Sequence, residues 1–218
     1  MKSYSILTLL LLICFCSCEN STEPIDIAIS NQSWSKRNLD VIAFRNGDTI
    51  LNAKSIKEWD DAFNSEQPAW CYYKFDSKYG PKHGRLYNYF AIKDDREIAP
   101  VGYRKPTRSD WNRLIQNILG DSINGYGSIG ASIYLDSLWN TSGNGDNSSG
   151  FNLLPSGYYE PKSGFKGLDP SYRYAARWWV DDKGYLLVYS LDANISNNAI
   201  SILDRVPKGG YSIRCIKE

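Results

Sequence analysis

Cysteine and histidine are the side chains most ready to do chemistry, and this chain of 218 residues has five of the first and one of the second. Cys14, Cys16 and Cys18 crowd into "CFCSC", while Cys71 stands in "AWCYYKF" and Cys215 in "YSIRCIK". Neighbouring thiolates can clamp zinc, but a tetrahedral site needs further Cys or His ligands at matching spacing, and His83, Cys71 and Cys215 are scattered along the chain. Acyl transfer needs a nucleophile held by a base, most often His. His83 is alone in the glycine-flanked "GPKHGR" and reads as a loop histidine. Paired acids could serve glycoside hydrolysis, yet Asp181-Asp182 precede Lys183-Gly184 as a hairpin turn and Asp94-Asp95 lie in a polar stretch. "NGDN" at 144–147 offers oxygen ligands without an acidic cluster, so turn chemistry accounts for it. The expectation is a protein with no catalytic residues, no metal and no cofactor.

The residues before the cysteine cluster give it a different meaning. "MKSYSILTLLLLICFCSC" has one cation, Lys2, then a nearly unbroken apolar run from Ile6 to Cys16, ending in the small residue Ser17 before Cys18. That is the layout of an export signal, and the run is shorter than the ~20 residues a bilayer span requires. "Phe15-Cys16-Ser17-Cys18" resembles the lipobox of bacterial lipoproteins, with Phe15 where leucine is usual. The resemblance implies that residues 1–17 are a signal peptide removed on export and that Cys18 becomes an acylated first residue. Each buried acyl methylene then contributes about 0.8 kcal/mol toward holding the chain at a bilayer. Residues 18–26, "CENSTEPID", are polar and read as a flexible tether, leaving residues 27–218 as one domain.

Loss of Lys2 leaves 24 basic and 24 acidic residues. A neutral chain without a basic run in its sequence argues against nucleic acid as the partner. Seven Trp and 16 Tyr against a single Met suit an irregular, loop-rich extracytoplasmic domain whose rings bury area while one polar handle stays satisfied. In an oxidising compartment Cys71 and Cys215 are expected to pair, closing a loop for which chain entropy suggests about 5 kcal/mol. Two separately buried free thiols are the alternative.

Two helices are legible among the elements that must position these groups. "SIKEWDDAF" starts with Ser55 three residues before Glu58, and Ile56, Trp59 and Phe63 recur at helical spacing. "PTRSDWNRLIQNILG" has Thr107 as N-cap with Asp110 three later, an apolar face of Trp111, Leu114, Ile115, Ile118 and Leu119, and Gly120 as a stop. Short strands are predicted in "DVIAF", "CYYKF", "RLYNYFAI", "FNLLPSGYY", "ARWWV", "YLLVYSL" and "YSIRCIK". Helices early and strands late indicate an α+β fold.

Several stretches taken together resemble the Fibrobacter succinogenes major paralogous domain, common in lipoproteins of Bacteroidetes. They are "ISNQSWSKRNLDV", "RNGDTI", "HGRLYNYFAI", "PVGYRKPTRSDWNRL", "SGFNLLPSGYY", "RWWV" and "GGYSIRCIKE", in the family's order from about Ile27 onward. The resemblance implies a C-type-lectin-like fold like that of formylglycine-generating enzymes: two helices flank small twisted antiparallel sheets, and the N- and C-terminal strands come together. "GYSIRC" would return as a central or closing strand, with Arg214 inside it. The chain departs from the family at Ala99-Pro100-Val101-Gly102-Tyr103-Arg104-Lys105-Pro106-Thr107, where Cys-Pro-x-Gly-Trp-His-x-Pro-Thr is usual. Ala99 thus replaces the usual cysteine, which implies Cys71 as the substitute partner for Cys215, and Arg104 replaces the histidine. Neighbouring C-terminal cysteines, on which formylglycine generation depends, are missing; against the calcium-dependent sugar site of C-type lectins, Glu66-Gln67-Pro68 in "EQPAW" has the wrong order and Trp139-Asn140-Thr141 in "LWNTS" lacks the following carboxylate.

These readings predict a lipid-anchored protein of the cell envelope, at the outer membrane, with a non-catalytic binding domain for a glycan or an envelope protein. A purely structural envelope role is the alternative. Flat aromatic faces stack on sugar rings, so the candidate ligand residues are the late aromatics Tyr158, Tyr159, Tyr172, Tyr174, Trp178 and Trp179, each of which could instead be core. Asp48, Asp121 and Asp136 begin tripeptides that resemble O-glycosylation acceptors of Bacteroidetes, though Asp-Ser and Asp-Thr pairs also make ordinary capping contacts.

Overall fold

A computed structural model describes residues 26–119, 147–169, 173–182, 185–194, 197–203 and 208–218. Both expected helices form. In α1 (Ile56–Asn64) the Ser55 side chain accepts from the Glu58 amide, while Glu58 Oε2 accepts from the Lys54 amide at 2.9 Å. In α4 (Arg108–Leu119) the cap is reciprocal: Thr107 Oγ1 accepts from the Asp110 amide at 3.2 Å and Asp110 Oδ2 accepts from the Thr107 amide at 2.8 Å. Such boxes satisfy amides that the first helical turn leaves without partners. Trp59 on α1 and Trp111 and Leu114 on α4 are buried, as their spacing predicts.

Thirteen short strands surround these helices among the described residues. The sheet that carries the chain ends has the order β1 (Asp26–Ile29), β2 (Gln32–Ser35), β13 (Ile216–Lys217), β6 (Tyr103–Arg104), antiparallel throughout. Ile216 lies opposite Trp34 on one side and Arg104 on the other, so the C-terminal strand is central. A second sheet is a meander of β9 (Leu168–Asp169), β10 (Arg173–Asp182), β11 (Tyr185–Asn194) and β12 (Asn197–Leu203). Asp182 pairs with Tyr185, so Lys183-Gly184 joins two ten-residue strands. The third sheet has β3 (Leu51–Asn52) parallel to β4 (Ala69–Cys71) and β4 antiparallel to β5 (Leu86–Tyr87). A hairpin of β7 (Tyr158–Glu160) and β8 (Gly164–Lys166) completes the set. The architecture is α+β.

Residues 210–212 stitch these pieces together. Gly210 exchanges both backbone hydrogen bonds with Tyr159 (3.0 and 2.9 Å) and Tyr211 exchanges both with Tyr87 (2.9 and 3.2 Å). Ser212 donates to the Arg177 carbonyl and accepts from the Trp179 amide. One extended segment therefore binds β5, β7 and β10 before it enters the first sheet as β13. Arg214 follows inside the protein, with Nε donating to the Ser35 carbonyl at 2.7 Å, Nη2 to the Phe151 carbonyl at 2.6 Å, and its guanidinium 4.0 Å from the Phe151 ring centroid. The carbonyl oxygens of Ser35, Phe151 and Asn152 accept from it, and burial disfavours its charged form.

Five predicted strands fold wholly or partly otherwise: "FNLLPSGYY" is a strand only from Tyr158, and "YSIRCIK" only at Ile216–Lys217 after isolated bridges at Tyr211 and Ser212. "RLYNYFAI" is a strand only at Leu86–Tyr87, because the Asn88 side chain accepts from the Ala91 amide at 2.9 Å and starts α3 (Tyr89–Lys93). "CYYKF" leaves β4 after Cys71 and tightens into a 3-10 turn at Tyr73–Phe75. "DVIAF" contributes one bridge, Ala43 to Thr49, closing the Asn46-Gly47 turn. A short helix, α2 (Gly80–His83), is a further element the periodicity does not announce.

The expected Cys71–Cys215 bond is not formed: both thiols are free and buried. Cys71 packs with Ala53, Trp59, Leu86 and Tyr159, whereas Cys215 belongs to a separate cluster with Ile92, Ala99, Tyr103 and Ile213. Cys215 thus shares its cluster with Ala99, where the resembling family has a cysteine, and a methyl there cannot bridge. Burial pushes the Cys71 thiol well up and the Cys215 thiol up to about 12, so both behave as small apolar groups.

Candidate functional site

Four of the six aromatic residues singled out from sequence are interior. Trp178 and Trp179 alternate across β10 into two different clusters, and both are essentially inaccessible. The Trp178 indole donates to Asn38 Oδ1 at 2.9 Å and the Trp179 indole to the Tyr87 carbonyl at 2.8 Å. Tyr158 and Tyr159 are likewise buried, so these four rings offer no face to a sugar and the stacking role assigned to them is corrected. Tyr174 is partly buried against the cluster of Trp34, Trp111 and Trp178. Tyr172 lies outside the described residues, as do Cys18, Asp121 and Asp136. Asp48 is engaged in its own turn and with Arg96, by hydrogen bonds of 3.0 Å from Asn46 and 2.9 Å from Arg96, which hold its carboxyl below the usual range.

The remaining sequence candidates are tied into the scaffold. His83 sits half-buried with Nδ1 2.6 Å from the Pro155 carbonyl oxygen, and since a carbonyl can only accept, Nδ1 carries the proton. Asp181 lies 3.3 Å from Lys105, and Asp182 lies 3.4 Å from Arg108. Glu160 pairs with Arg177, accepts from the Tyr211 hydroxyl at 3.2 Å, and accepts from Ser163 at 3.3 Å. Arg177 in turn stacks over Tyr158 at 3.7 Å from its centroid. Among the described residues no group of three or more His, Cys, Asp or Glu side chains could hold a metal ion.

The fold assembles a different surface, which sequence spacing alone does not reveal. Segment 73–83 packs on the β7–β8 hairpin through rings: Tyr73 to Phe165 at 5.3 Å, Phe75 to Phe165 at 5.0 Å, and Tyr73 to Tyr79 at 5.1 Å between centroids. Phe165 also meets Tyr159 at 4.9 Å, which meets Trp59 at 5.8 Å, so this surface rests on the core of α1. Phe75, Tyr79 and Phe165 are only half-buried. Close approach is possible because residue 157 is glycine: at φ +64 its position has no room for a Cβ, which would stand 2.5 Å from the Tyr73 ring and 2.9 Å from the Lys166 carbonyl.

Two lysines, Lys74 and Lys78, stand beside tyrosine rings of this segment. Lys74, Lys78 and Lys82 recur every fourth residue along the segment, and Lys162 and Lys166 do so along the hairpin; all five are exposed. Lys74 Nζ stands 5.7 Å from the Tyr73 centroid and Lys78 Nζ 5.1 Å from that of Tyr79. Lys74 and Phe75 hold successive positive φ values of 54° and 57°, a costly conformation that the Phe75–Phe165 contact helps retain. Asp76 pairs with Lys78 at 2.8 Å and Glu160 with Arg177, so the two carboxylates nearest the rings already face cations. Among the described residues Lys74, Lys82, Lys162 and Lys166 have no ion-pair partner.

No curated protein and no solved structure matches the chain. The family model for the Fibrobacter succinogenes major domain matches residues 27–217, which begins one residue after the strand β1 opens and ends within β13. With the match spanning both chain-end strands, the stitching segment and every helix described above, this chain belongs to the Fibrobacter succinogenes major domain family.

Proposed function

We propose that the chain is a lipid-anchored protein of the cell envelope, held at the outer membrane through Cys18, whose single domain binds a glycan or an envelope protein without catalysis. The observation that carries this reading is the apolar run from Ile6 to Cys16 closing on "FCSC" and followed by a polar tether. The domain geometry supports it. Asp26, where the tether meets β1, accepts from the Tyr103 hydroxyl and pairs with Lys217 at 3.1 Å, so the exit point of the tether is fixed on the sheet that carries both chain ends. The fold is read as C-type-lectin-like, supported by β13 lying beside β2 and by two capped helices next to small antiparallel sheets.

Metabolic labelling with a fatty-acid probe tests the anchor: label is expected on the wild-type protein and is lost in Cys18→Ala. A mature product that starts elsewhere with an unmodified amine overturns it. A glycan array with a pull-down from envelope extract tests binding, and silence in both from folded protein removes that role. The structural envelope role is then the surviving reading, and burial of Tyr158, Tyr159, Trp178 and Trp179 is the observation in its favour.

A further inference from the structure

A strand with one side unpaired presents a row of N–H and C=O groups that another chain can join, so natural folds keep such edges short or covered. Most edges in this domain obey that rule. β3 and β6 have two residues each, β8 has three, and β1, with four, carries Asp26. Tyr211 covers β5 and Gly210 covers β7. The outer side of β10 is covered by β9, by Gly157, which bridges to Ala176, and by Ser212, which bridges to Trp178.

The exception is β12. It is the terminal strand of the meander and pairs with β11 over seven successive residues, from Asn197 opposite Asn194 to Leu203 opposite Val188. Among the described residues no strand lies on its other side. Proteins protect a long edge with a charge, a proline or a bulge. "NNAISIL" has no charged residue and no Pro or Gly, and its register with β11 runs without a bulge. The interior strand β10 holds Arg173, Arg177, Asp181 and Asp182, so charge is missing from the one strand of this sheet where it would protect.

We infer that β12 pairs antiparallel with β12 of a second copy of this chain, joining two four-stranded meanders into one sheet. The inference goes beyond the anchor and the binding role proposed above and depends on neither. Charge selects the occupant. In a two-fold antiparallel pairing the residues at the axis face their own copies, so a charge near the centre of the strand would oppose itself. Ile200 is the middle residue, and the three positions on each side of it are uncharged. A charged peptide would find no countercharge on this strand, whereas an identical uncharged one needs none. The far side of the meander is already covered by β9, Gly157 and Ser212, so the contact closes at two copies and does not propagate into a filament.

The test uses the full-length protein in detergent, at less than one copy per micelle, and reads its mass by light scattering and its amide exchange over a dilution series. A dimer is expected at high concentration, with β12 amides losing protection on dilution while those of β2 and β10 keep theirs. Asn197→Lys with Ser201→Lys should weaken the dimer about tenfold or more, with β2 and β10 still protected as evidence of folding. Ser201→Cys should give a dimer with a short bismaleimide, against the wild-type background, and Ser77→Cys, exposed on another segment, should not. A monomer at every concentration overturns the inference, whether β12 exchanges freely or stays protected by its own chain. A dimer that the lysine pair leaves intact, or equal cross-linking at residues 77 and 201, overturns it as well.

Discussion

His83 is the chain's one imidazole, and its environment fixes the sign of a pH effect. Burial lowers its pKa below the ordinary value of about 6.5, Lys82 pushes the same way, and the Pro155 carbonyl pulls against both. The unfolded chain therefore takes up a proton in a window that ends at about 6.5, where the folded chain declines it. Stability is fully present above that value and falls as pH drops toward the depressed one. Asp40 works in the opposite sense: burial raises its pKa against the attraction of Arg85, so its contribution fades as pH rises through the carboxylate range. Comparison with His83→Gln isolates the imidazole. Denaturation midpoints of the wild type should rise between about pH 5 and about pH 7 relative to the variant; a difference that is flat or falls across that range contradicts the burial described.

At the scale of elements, Asp110 joins three pieces of the fold. Its carboxylate caps α4, accepts from Thr107 Oγ1 at 2.7 Å and receives Arg104 of β6 at 2.6 and 2.8 Å, while its carbonyl accepts from Gln32 of β2. Burial alone would raise its pKa, but the hydrogen bonds from Arg104 and Thr107 outweigh it. Asp110→Ala should cost about 2 to 4 kcal/mol in urea unfolding, and Asp110→Asn, which keeps an acceptor for Thr107, clearly less. Equal losses would show that the cap and the ion pair are not separable. Helix α4 was legible because a cap is a local signal written in four consecutive residues. The β1–β2 hairpin was not, since "DIAISNQSWS" has weak alternation and its partner strand lies near the other end of the chain. "RLYNYFAI" reads as a strand from sequence because apolar residues at Leu86, Tyr87, Phe90, Ala91 and Ile92 fit either period, and only the Asn88 cap breaks the tie. The ring contacts between segment 73–83 and the β7–β8 hairpin are not legible in the sequence for a related reason: the two stretches are some 80 residues apart, and only packing sets Tyr73 and Phe75 against Phe165.

For the whole molecule, the organising segment is residues 210–217. Its backbone holds β5, β7 and β10, its last strand fills the centre of the first sheet, and Arg214 closes the carbonyls of Ser35 and Phe151. A chain ending at Lys208 should therefore fail to fold cooperatively, with amide exchange across β2, β5 and β7 close to that of the denatured state; retention of native protection in those strands would show that the sheets stand alone. Gly157→Ala probes the same junction from the side of the hairpin, and the clash with Tyr73 and the Lys166 carbonyl should destabilise it by about 2 kcal/mol or more. The placement of that segment also orders events in time. A polypeptide made amino end first lacks its keystone until residues 210–217 have emerged, so β5, β7 and β10 stay unjoined until then.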